Sequence, residues 1–412
     1  MKKLLIFALI LISALLLCSC ASSESGNEDD VRTLYVYNWG EYISDGSEDT
    51  VNVNKEFEKY YLEKYGKKVK VNYSTYASNE DLYAKLSSGA VSYDVVIPSD
   101  YMVARLIAEK LIQPINPAEN IPLYGEIDDQ FKNLYYDPDN VYSVPYTFGT
   151  VGVIYNTSMV EENDPDIGSW NLMWSEKYKG NILQFNNPRD AFATALEKLG
   201  YSLNTEKEEE WKAAFESLKE QKNVVQGYVM DEVFNKMKGG SAAVGAYYTG
   251  DFLTMYADNE DLAFFYPEEG NNVFVDAMCI PTNAQSRDLA LEWINFALTE
   301  DIAVANAEYI CYASPVKSVR SNPDYVEYMT EEIHPDAIEL LYGFNAEKME
   351  YFFDLPDDTR NLMNSLWEDL KIESTIGSEI YVICGIIVAV LVVAIVTSSC
   401  IKKYRNKKKY ES

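Results

Sequence analysis

Five segments between residues 33 and 98 decide the fold of this chain: TLYVYNW (33–39), KEFEKYYLEKY (55–65), KVKVNY (68–73), NEDLYAKL (79–86) and YDVVIP (93–98). The first, third and fifth segments are short and rich in β-branched and aromatic residues, which predicts strands. The second and fourth segments place apolar residues at helical spacing, which predicts amphipathic helices. Strands that alternate with helices are typical of parallel α/β layers, so we predict an α/β protein.

The alternation continues through the rest of the body, with no internal repeat. We predict further strands at 151–156, 241–248 and 272–280, and further helices at 190–200, 206–222 and 286–298. A chain of 412 residues is long enough for about two domains. Its hydrophobic content of 47% excludes a chain that is disordered throughout.

The N-terminal region has the pattern of an exported protein. Residues 1–19 carry two lysines followed by an apolar core, which predicts a secretory signal peptide. The run LCSC that ends at Cys20 resembles a bacterial lipobox, so we expect a lipid on Cys20. The polar residues that follow predict a lipidated tether over 20–32.

The C-terminal region has the pattern of a membrane anchor. Residues 380–400 form a run of 21 residues without a charged side chain, which predicts a transmembrane helix. The basic tail at 401–412 is expected on the cytoplasmic side. The sequence therefore predicts a protein attached to the cell membrane at both ends, with its body on the extracytoplasmic face.

Charge and residue counts exclude several kinds of site. The net charge is −30, from 65 acidic and 35 basic residues, so phosphate repulsion argues against nucleic-acid binding and favours cationic ligands. A single histidine, His334, excludes a multi-histidine metal centre within one chain, and we predict neither a metal nor a cofactor. The sequence leaves open whether Cys279 and Cys311 form a disulfide or remain free thiols.

Aromatic residues fall beside polar side chains where predicted strands end: Trp39 and Tyr42 with Glu41, Tyr101 after Ser99-Asp100, and Phe274 near Asp276. In open α/β sheets, ligands bind outside the carboxyl ends of the strands. A flat ring attracts a cation by about 0.5–2 kcal/mol, and a carboxylate adds a charge-assisted hydrogen bond. This combination suits a slender polycation.

Six segments resemble, in order, the bacterial spermidine/putrescine-binding proteins, the PotD-like receptors of ABC transporters. They are YNWGEYI (37–43), YSTYASNE (73–80), YDVVIPSDY (93–101), YSVPYTFGT (142–150), DAMCIPTNA (276–284) and YASP (312–315). The resemblance covers roughly residues 33–372. It implies the two-lobe periplasmic-binding-protein fold (type II) with crossing hinge strands, to which the sequence adds one C-terminal transmembrane helix.

The resemblance also implies lobe boundaries and a polyamine site. The implied units are lobe 1 at 33–147 and 277–345, lobe 2 at 148–276, and a C-terminal helical segment at 346–378. The implied polyamine-binding residues are Trp39, Glu41, Tyr42, Ser99, Tyr101, Asp190, Tyr248, Phe274, Asp276 and Tyr312. Gly40 replaces a hydroxyl residue that is common in the family, and Asn187 stands where an acid is often found. The choice between putrescine and spermidine therefore stays open.

The implied function is that of the substrate-binding component of an ABC-type polyamine importer, with ABC permease subunits and their ATPase as partners. The adjacent Tyr247 and Tyr248 suggest an alternative, a ferric-ion-binding receptor of similar fold, and the membrane anchor suggests another, a membrane-anchored ligand sensor. An enzyme is not predicted. His334 precedes a proline at a surface helix start, and no nucleophile elbow or phosphate-binding glycine loop is present.

Overall fold

The computed structural model describes residues 31–343 and 348–372 of the chain. Its strands are β1 (Arg32–Trp39), β2 (Val69–Tyr76), β3 (Val95–Val96), β4 (Ser143–Asn156), β5 (Ile182–Phe185), β6 (Val225–Val229), β7 (Val244–Tyr248), β8 (Leu262–Phe265), β9 (Asn271–Cys279) and β10 (Met349–Tyr351). Its helices are α1 (Val53–Tyr65), α2 (Asn79–Ser88), α3 (Asp100–Ala108), α4 (Pro117–Asn120), α5 (Pro188–Lys198), α6 (Glu208–Gln221), α7 (Glu232–Lys238), α8 (Thr249–Asp258), α9 (Arg287–Ala297), α10 (Glu300–Ile310), α11 (Lys317–Ser321), α12 (Pro323–Tyr328), α13 (Ala337–Tyr342) and α14 (Asp357–Ile372).

The strands form two groups that share β4, one group in each lobe. In the first group the order is β2-β1-β3-β9-β4, and β1 is parallel to both β2 and β3. In the second group the order is β4-β7-β5-β6, and β5 is parallel to both β6 and β7. Helices connect the parallel strands, as the predicted α/β layers require.

Strands β4 and β9 join the two lobes. They pair antiparallel from Ser143 opposite Cys279 to Thr150 opposite Val273, and their register shifts between Pro145 and Thr147. Proline has no backbone N–H to donate, so the ladder is interrupted at this point. Beyond Thr150, β4 continues into the second lobe and pairs with β7. Two strands that cross between the lobes are what the family resemblance implies.

Asparagine side chains cap the first turns of helices α1 and α5. Asn52 accepts a hydrogen bond from the Lys55 backbone N–H at 2.9 Å, and α1 then ends at Gly66 in a left-handed conformation. Asn187 accepts one from the Asp190 N–H at 2.8 Å. The second cap fixes the first turn of α5, and with it the direction of Asp190.

The predicted fold class needs a correction at its C-terminal end. The transmembrane helix predicted at 380–400 lies outside the described residues, and within 31–343 and 348–372 we find no helix with the length and apolar character needed to cross a bilayer. The last described helix, α14, is amphipathic and packs on α6 of the second lobe. The fold that the structure supports is the two-lobed α/β fold without the added span.

Other predicted end segments also lie outside the described residues. They are the signal peptide at 1–19, Cys20 with most of its tether, and the basic tail at 401–412. The lobe boundaries drawn from the sequence remain a prediction. Cys279 and Cys311 are both described, and both are buried free thiols.

Candidate ligand-binding site

A cavity lies between the two lobes, where β1, β2 and β7 end in Trp39, Tyr76 and Tyr248. This is the position at which open α/β sheets bind ligands. Of the predicted site residues, the structure brings together Trp39, Tyr42, Ser99, Tyr101, Asp190, Tyr248, Phe274, Asp276 and Tyr312 as lining residues. The sequence itself explains why two of these residues lie together. Phe274 and Asp276 are two residues apart on β9, so their side chains share one face of the strand.

Asp276 is a buried carboxylate with an unused acceptor atom. Its side chain is 3% exposed, and its Oδ2 accepts a hydrogen bond from the Tyr42 hydroxyl at 2.6 Å. Its Oδ1 is also buried but has no hydrogen-bond partner among the described residues. Leaving a buried carboxylate oxygen unpaired is costly, so a ligand that donates a hydrogen bond here would remove a penalty that the free protein carries.

Burial also governs the protonation of Asp276. It raises the pKa of the carboxyl to about 6, against the opposing effects of the Ser99 and Tyr42 hydroxyls. The negative charge of Asp190 raises the same pKa further, because the two carboxylates face a common space. A cation placed between them would favour the ionised form of both groups.

Asp190 approaches the cavity from the second lobe. Its Oδ2 accepts hydrogen bonds from the Tyr248 hydroxyl and from Asn187 Nδ2, each at 2.7 Å. Burial raises its pKa, while these two donors and the Arg189 charge lower it. Asn187 thus holds a carboxylate in place rather than supplying one. The position that the family often fills with an acid has become a support for Asp190.

Aromatic rings form the walls between the acidic groups. Tyr42 and Tyr312 meet edge to face at 4.7 Å, and Tyr248 and Phe274 do so at 5.3 Å. The Trp39 ring packs against Tyr76, with 4.7 Å between centroids. The methylene groups of a polyamine could lie against these faces while its nitrogens reach the carboxylates.

Glu41 is the predicted site residue that the structure does not bring into this cavity. It is exposed and lines a neighbouring cavity instead. Its backbone has a φ of +49°, an uncommon conformation for a residue other than glycine. The chain turns after β1, and Glu41 lies in this turn at the edge of the cavity.

The structure adds carboxylates that sequence reasoning missed. Asp251, in the first turn of α8, is 8% exposed and accepts a hydrogen bond from the Tyr312 hydroxyl at 3.0 Å. Glu80 accepts one from the Tyr101 hydroxyl at 3.0 Å, and Asp231 reaches the cavity from the loop before α7. Asp251 follows a predicted strand by three residues, and that position was the available signal.

Arg189 is the cation that the structure places in the cavity lining. Its Nη2 donates to Asn204 Oδ1 at 2.8 Å and to the Phe353 carbonyl at 3.0 Å, while its Nε and Nη1 lack partners among the described residues. The guanidinium carbon lies 4.4 Å from the centre of the Phe352 ring. Arg189 therefore holds the segment after β10 against the cavity, which makes Phe352 part of the wall.

The tyrosine pair that suggests an iron receptor lies in the cavity, whereas the histidine considered for an enzyme does not. Tyr247 and Tyr248 both line the cavity because β7 ends at Tyr248, and the Tyr248 hydroxyl already donates to Asp190. In the described part of the chain, no group of three or more His, Cys, Asp or Glu side chains is placed to hold a metal ion. His334 accepts a hydrogen bond from the Asp336 N–H, and its ring lies 4.4 Å from that of Tyr256, outside the cavity lining.

Two lobes joined by crossing strands, with a buried acidic and aromatic cavity between them, define a solute-binding protein. The chain belongs to the family of bacterial extracellular solute-binding proteins, whose model matches residues 54–331.

Individual relatives carry more specific names. The chain is 34% identical over 327 residues to the spermidine/putrescine-binding periplasmic protein of Escherichia coli (strain K12), an alignment that covers 78% of this chain and 88% of the relative. It is also similar to the solved structure of PotD, a spermidine/putrescine ABC transporter substrate-binding protein from Streptococcus pneumoniae, with a TM-score of 0.65, 29% identity and coverage of 83% and 99%. The Tp0655 (TpPotD) lipoprotein of Treponema pallidum gives a TM-score of 0.68 at 26% identity, with coverage of 82% and 99%. The resemblance seen in the sequence is confirmed.

Proposed function

We propose that this protein is the extracytoplasmic substrate-binding component of an ABC-type polyamine importer. In this proposal it captures putrescine or spermidine between its lobes and delivers the ligand to permease subunits driven by an ATPase. Its activity is binding, with no chemical step. The observation that carries the proposal is the buried Oδ1 of Asp276, which has no hydrogen-bond partner among the residues described and shares with Asp190 a cavity walled by aromatic rings.

The chemistry of the cavity supports a multiply charged, thin ligand. Closing the lobes removes water from each ammonium group, which costs several kcal/mol unless a charged partner replaces it. Micromolar binding requires about 8 kcal/mol in total. Asp276 and Asp190 supply the charged partners, and the rings of Trp39, Tyr248 and Phe274 supply the surface against which the carbon chain packs.

In the same proposal, lobe closure uses β4 and β9 as hinge strands. Asp276 lies on β9 opposite Thr147 of β4, where the register of the two strands shifts. A ligand bound there contacts both lobes and favours the closed arrangement.

A panel of ligands tests the proposed function. We expect putrescine or spermidine to raise the melting temperature of the purified protein by several degrees, because ligand at 100 times its Kd adds about 2.7 kcal/mol of stability. Amino acids and ferric ion should leave it unchanged at the same concentrations. Calorimetric titration then gives the affinity for each amine. A shift with ferric ion and none with any polyamine would replace the proposal by the iron-receptor alternative.

The export signals of the sequence support a further part of the proposal, a lipid attached to Cys20. We expect intact mass of the mature protein, isolated from a bacterial membrane, to show a lipidated N-terminal Cys20. The Cys20→Ser variant should not be found in this form. If the mature wild-type protein carries no lipid at its N-terminus, the proposed lipidation of Cys20 is wrong, while the proposed binding function is unaffected.

A further inference from the structure

Gly40 and Asp231 face each other across the mouth of the cavity. Gly40 directly follows β1 in the first lobe, and Asp231 directly precedes α7 in the second. A Cβ atom on residue 40 would lie 2.4 Å from Asp231 Oδ2 and 3.3 Å from its Cγ. The Asp231 carboxylate therefore occupies the space that a side chain at residue 40 would need.

The acidic groups of the cavity fall into two sets. The charge of Asp190 raises the pKa of both Asp276 and Glu80, so these three form one set. The second set lies at the mouth, where Asp231 and Glu41 raise the pKa of Asp251. The aromatic rings of Tyr42 and Tyr312 stand between the sets, since one bonds Asp276 and the other bonds Asp251.

In the described part of the chain, no Lys or Arg side chain belongs to the set at the mouth. Arg189 lies with the first set, where its charge acts on Asp190 and Glu80. Lys238 lines the neighbouring cavity, but its ammonium group is 2.7 Å from Asp258. Within residues 31–343 and 348–372, neither Asp231 nor Asp251 makes an ion pair with Lys or Arg, and the charges that act on their pKa values are those of other carboxylates. Carboxylates from two lobes thus converge without a counter-charge.

We propose that Asp231 is a further specificity-determining residue: its carboxylate stands in the space that Gly40 leaves free, and at this mouth of the cavity it receives an ammonium group of the bound polyamine. The inference rests on the proposed function and deepens it. A cation at this position touches Asp231 of one lobe while Glu41 and Gly40 of the other lie beside it. The cation therefore reduces the repulsion between the carboxylates of the two lobes when the lobes close. Amines that place no charge beside Asp231 are disfavoured.

A double-mutant cycle with spermidine tests this inference. We expect Asp231→Ala to weaken calorimetric affinity about fivefold, which is at the upper end of the range for an exposed charge contact. Gly40→Ala should weaken it similarly in the wild-type background, because the added methyl group displaces a flexible carboxylate. In the Asp231→Ala background, Gly40→Ala should add less than about twofold, since the group it displaces is gone.

The control is Asp49→Asn, which removes one charge from the lining of the neighbouring cavity and should change affinity by less than about twofold. Thermal unfolding of each free variant shows that it is folded. The inference is overturned if Asp231→Ala binds spermidine as tightly as the wild type, or if Gly40→Ala costs as much without Asp231 as with it. Failure of the wild-type protein to bind any polyamine would instead overturn the proposed function, and this inference with it.

Discussion

Replacing Asp276 by Asn is expected to lower the affinity for spermidine and putrescine at least about tenfold, a loss of about 1.4 kcal/mol or more. The variant keeps the size of the side chain and an acceptor for the Tyr42 hydroxyl. It removes the negative charge that an ammonium group needs after it has lost its water. Calorimetric titration of the wild-type and variant proteins with the same amine measures the difference.

The same variant should leave the free protein as stable as before, or slightly more stable. The ionised Asp276 is destabilised by burial, and its Oδ1 has no hydrogen-bond partner in the described structure, so a neutral side chain costs the unliganded fold little. Asp288→Asn provides a control, because Asp288 is an exposed carboxylate paired with Arg32. Equal amine affinities in the wild type and Asp276→Asn would contradict the site assignment, whatever the melting temperatures.

Polyamine binding should weaken as the pH falls from about 7.5 to about 5, a range that lies above the usual pKa of an aspartate. With the pKa of Asp276 at about 6 in the free protein, most of this group is protonated at about pH 5 and ionised at about pH 7.5. Aliphatic amines stay charged over this range, as lysine does with its pKa of about 10.4. Because binding requires the ionised carboxylate, we expect the affinity to fall about tenfold between these two pH values.

The stability of the unliganded protein should respond to Asp276 in the opposite direction. Its folded-state pKa lies above its unfolded value, so the stability that this group contributes is present at low pH and is lost as the pH rises through about 6. Melting temperatures and titrations over the same pH series, for the wild type and Asp276→Asn, separate the two effects. A wild-type affinity that does not change with pH, or that changes as steeply in the variant, would exclude Asp276 as the group responsible.

The periodic parts of the fold could be predicted from the sequence. Helices α1, α2, α5, α6 and α9 begin and end within two residues of their predicted bounds, because apolar residues recur at helical spacing along each of these segments. The strand pattern predicts only residues 151–156 of β4, and the first half of this strand follows from the family resemblance alone. Pro145 and Gly149 interrupt its strand pattern, and neither is expected inside a central strand. Short strands such as β3 and β10 depend on their neighbours more than on their own residues.

The site was predictable where local order determines direction. Phe274 and Asp276 share a face of β9, and Asp190 is fixed by the Asn187 cap, so their approach to the cavity follows from nearby residues. Local sequence order does not determine where Glu41 lies, because its backbone is left-handed at the turn after β1 and its exposed side chain lines the neighbouring cavity. Asp231 was missed because its position depends on the packing of two lobes, which no local pattern contains.

A crystal structure of the protein with spermidine tests the central claim most directly. We expect closed lobes with one amine nitrogen about 3 Å from Asp276 Oδ1, a second charge near Asp190 or the mouth carboxylates, and the carbon chain against Trp39 and Phe274. Spermidine bound elsewhere, or bound in this cavity with no nitrogen near either Asp276 or Asp190, would contradict it.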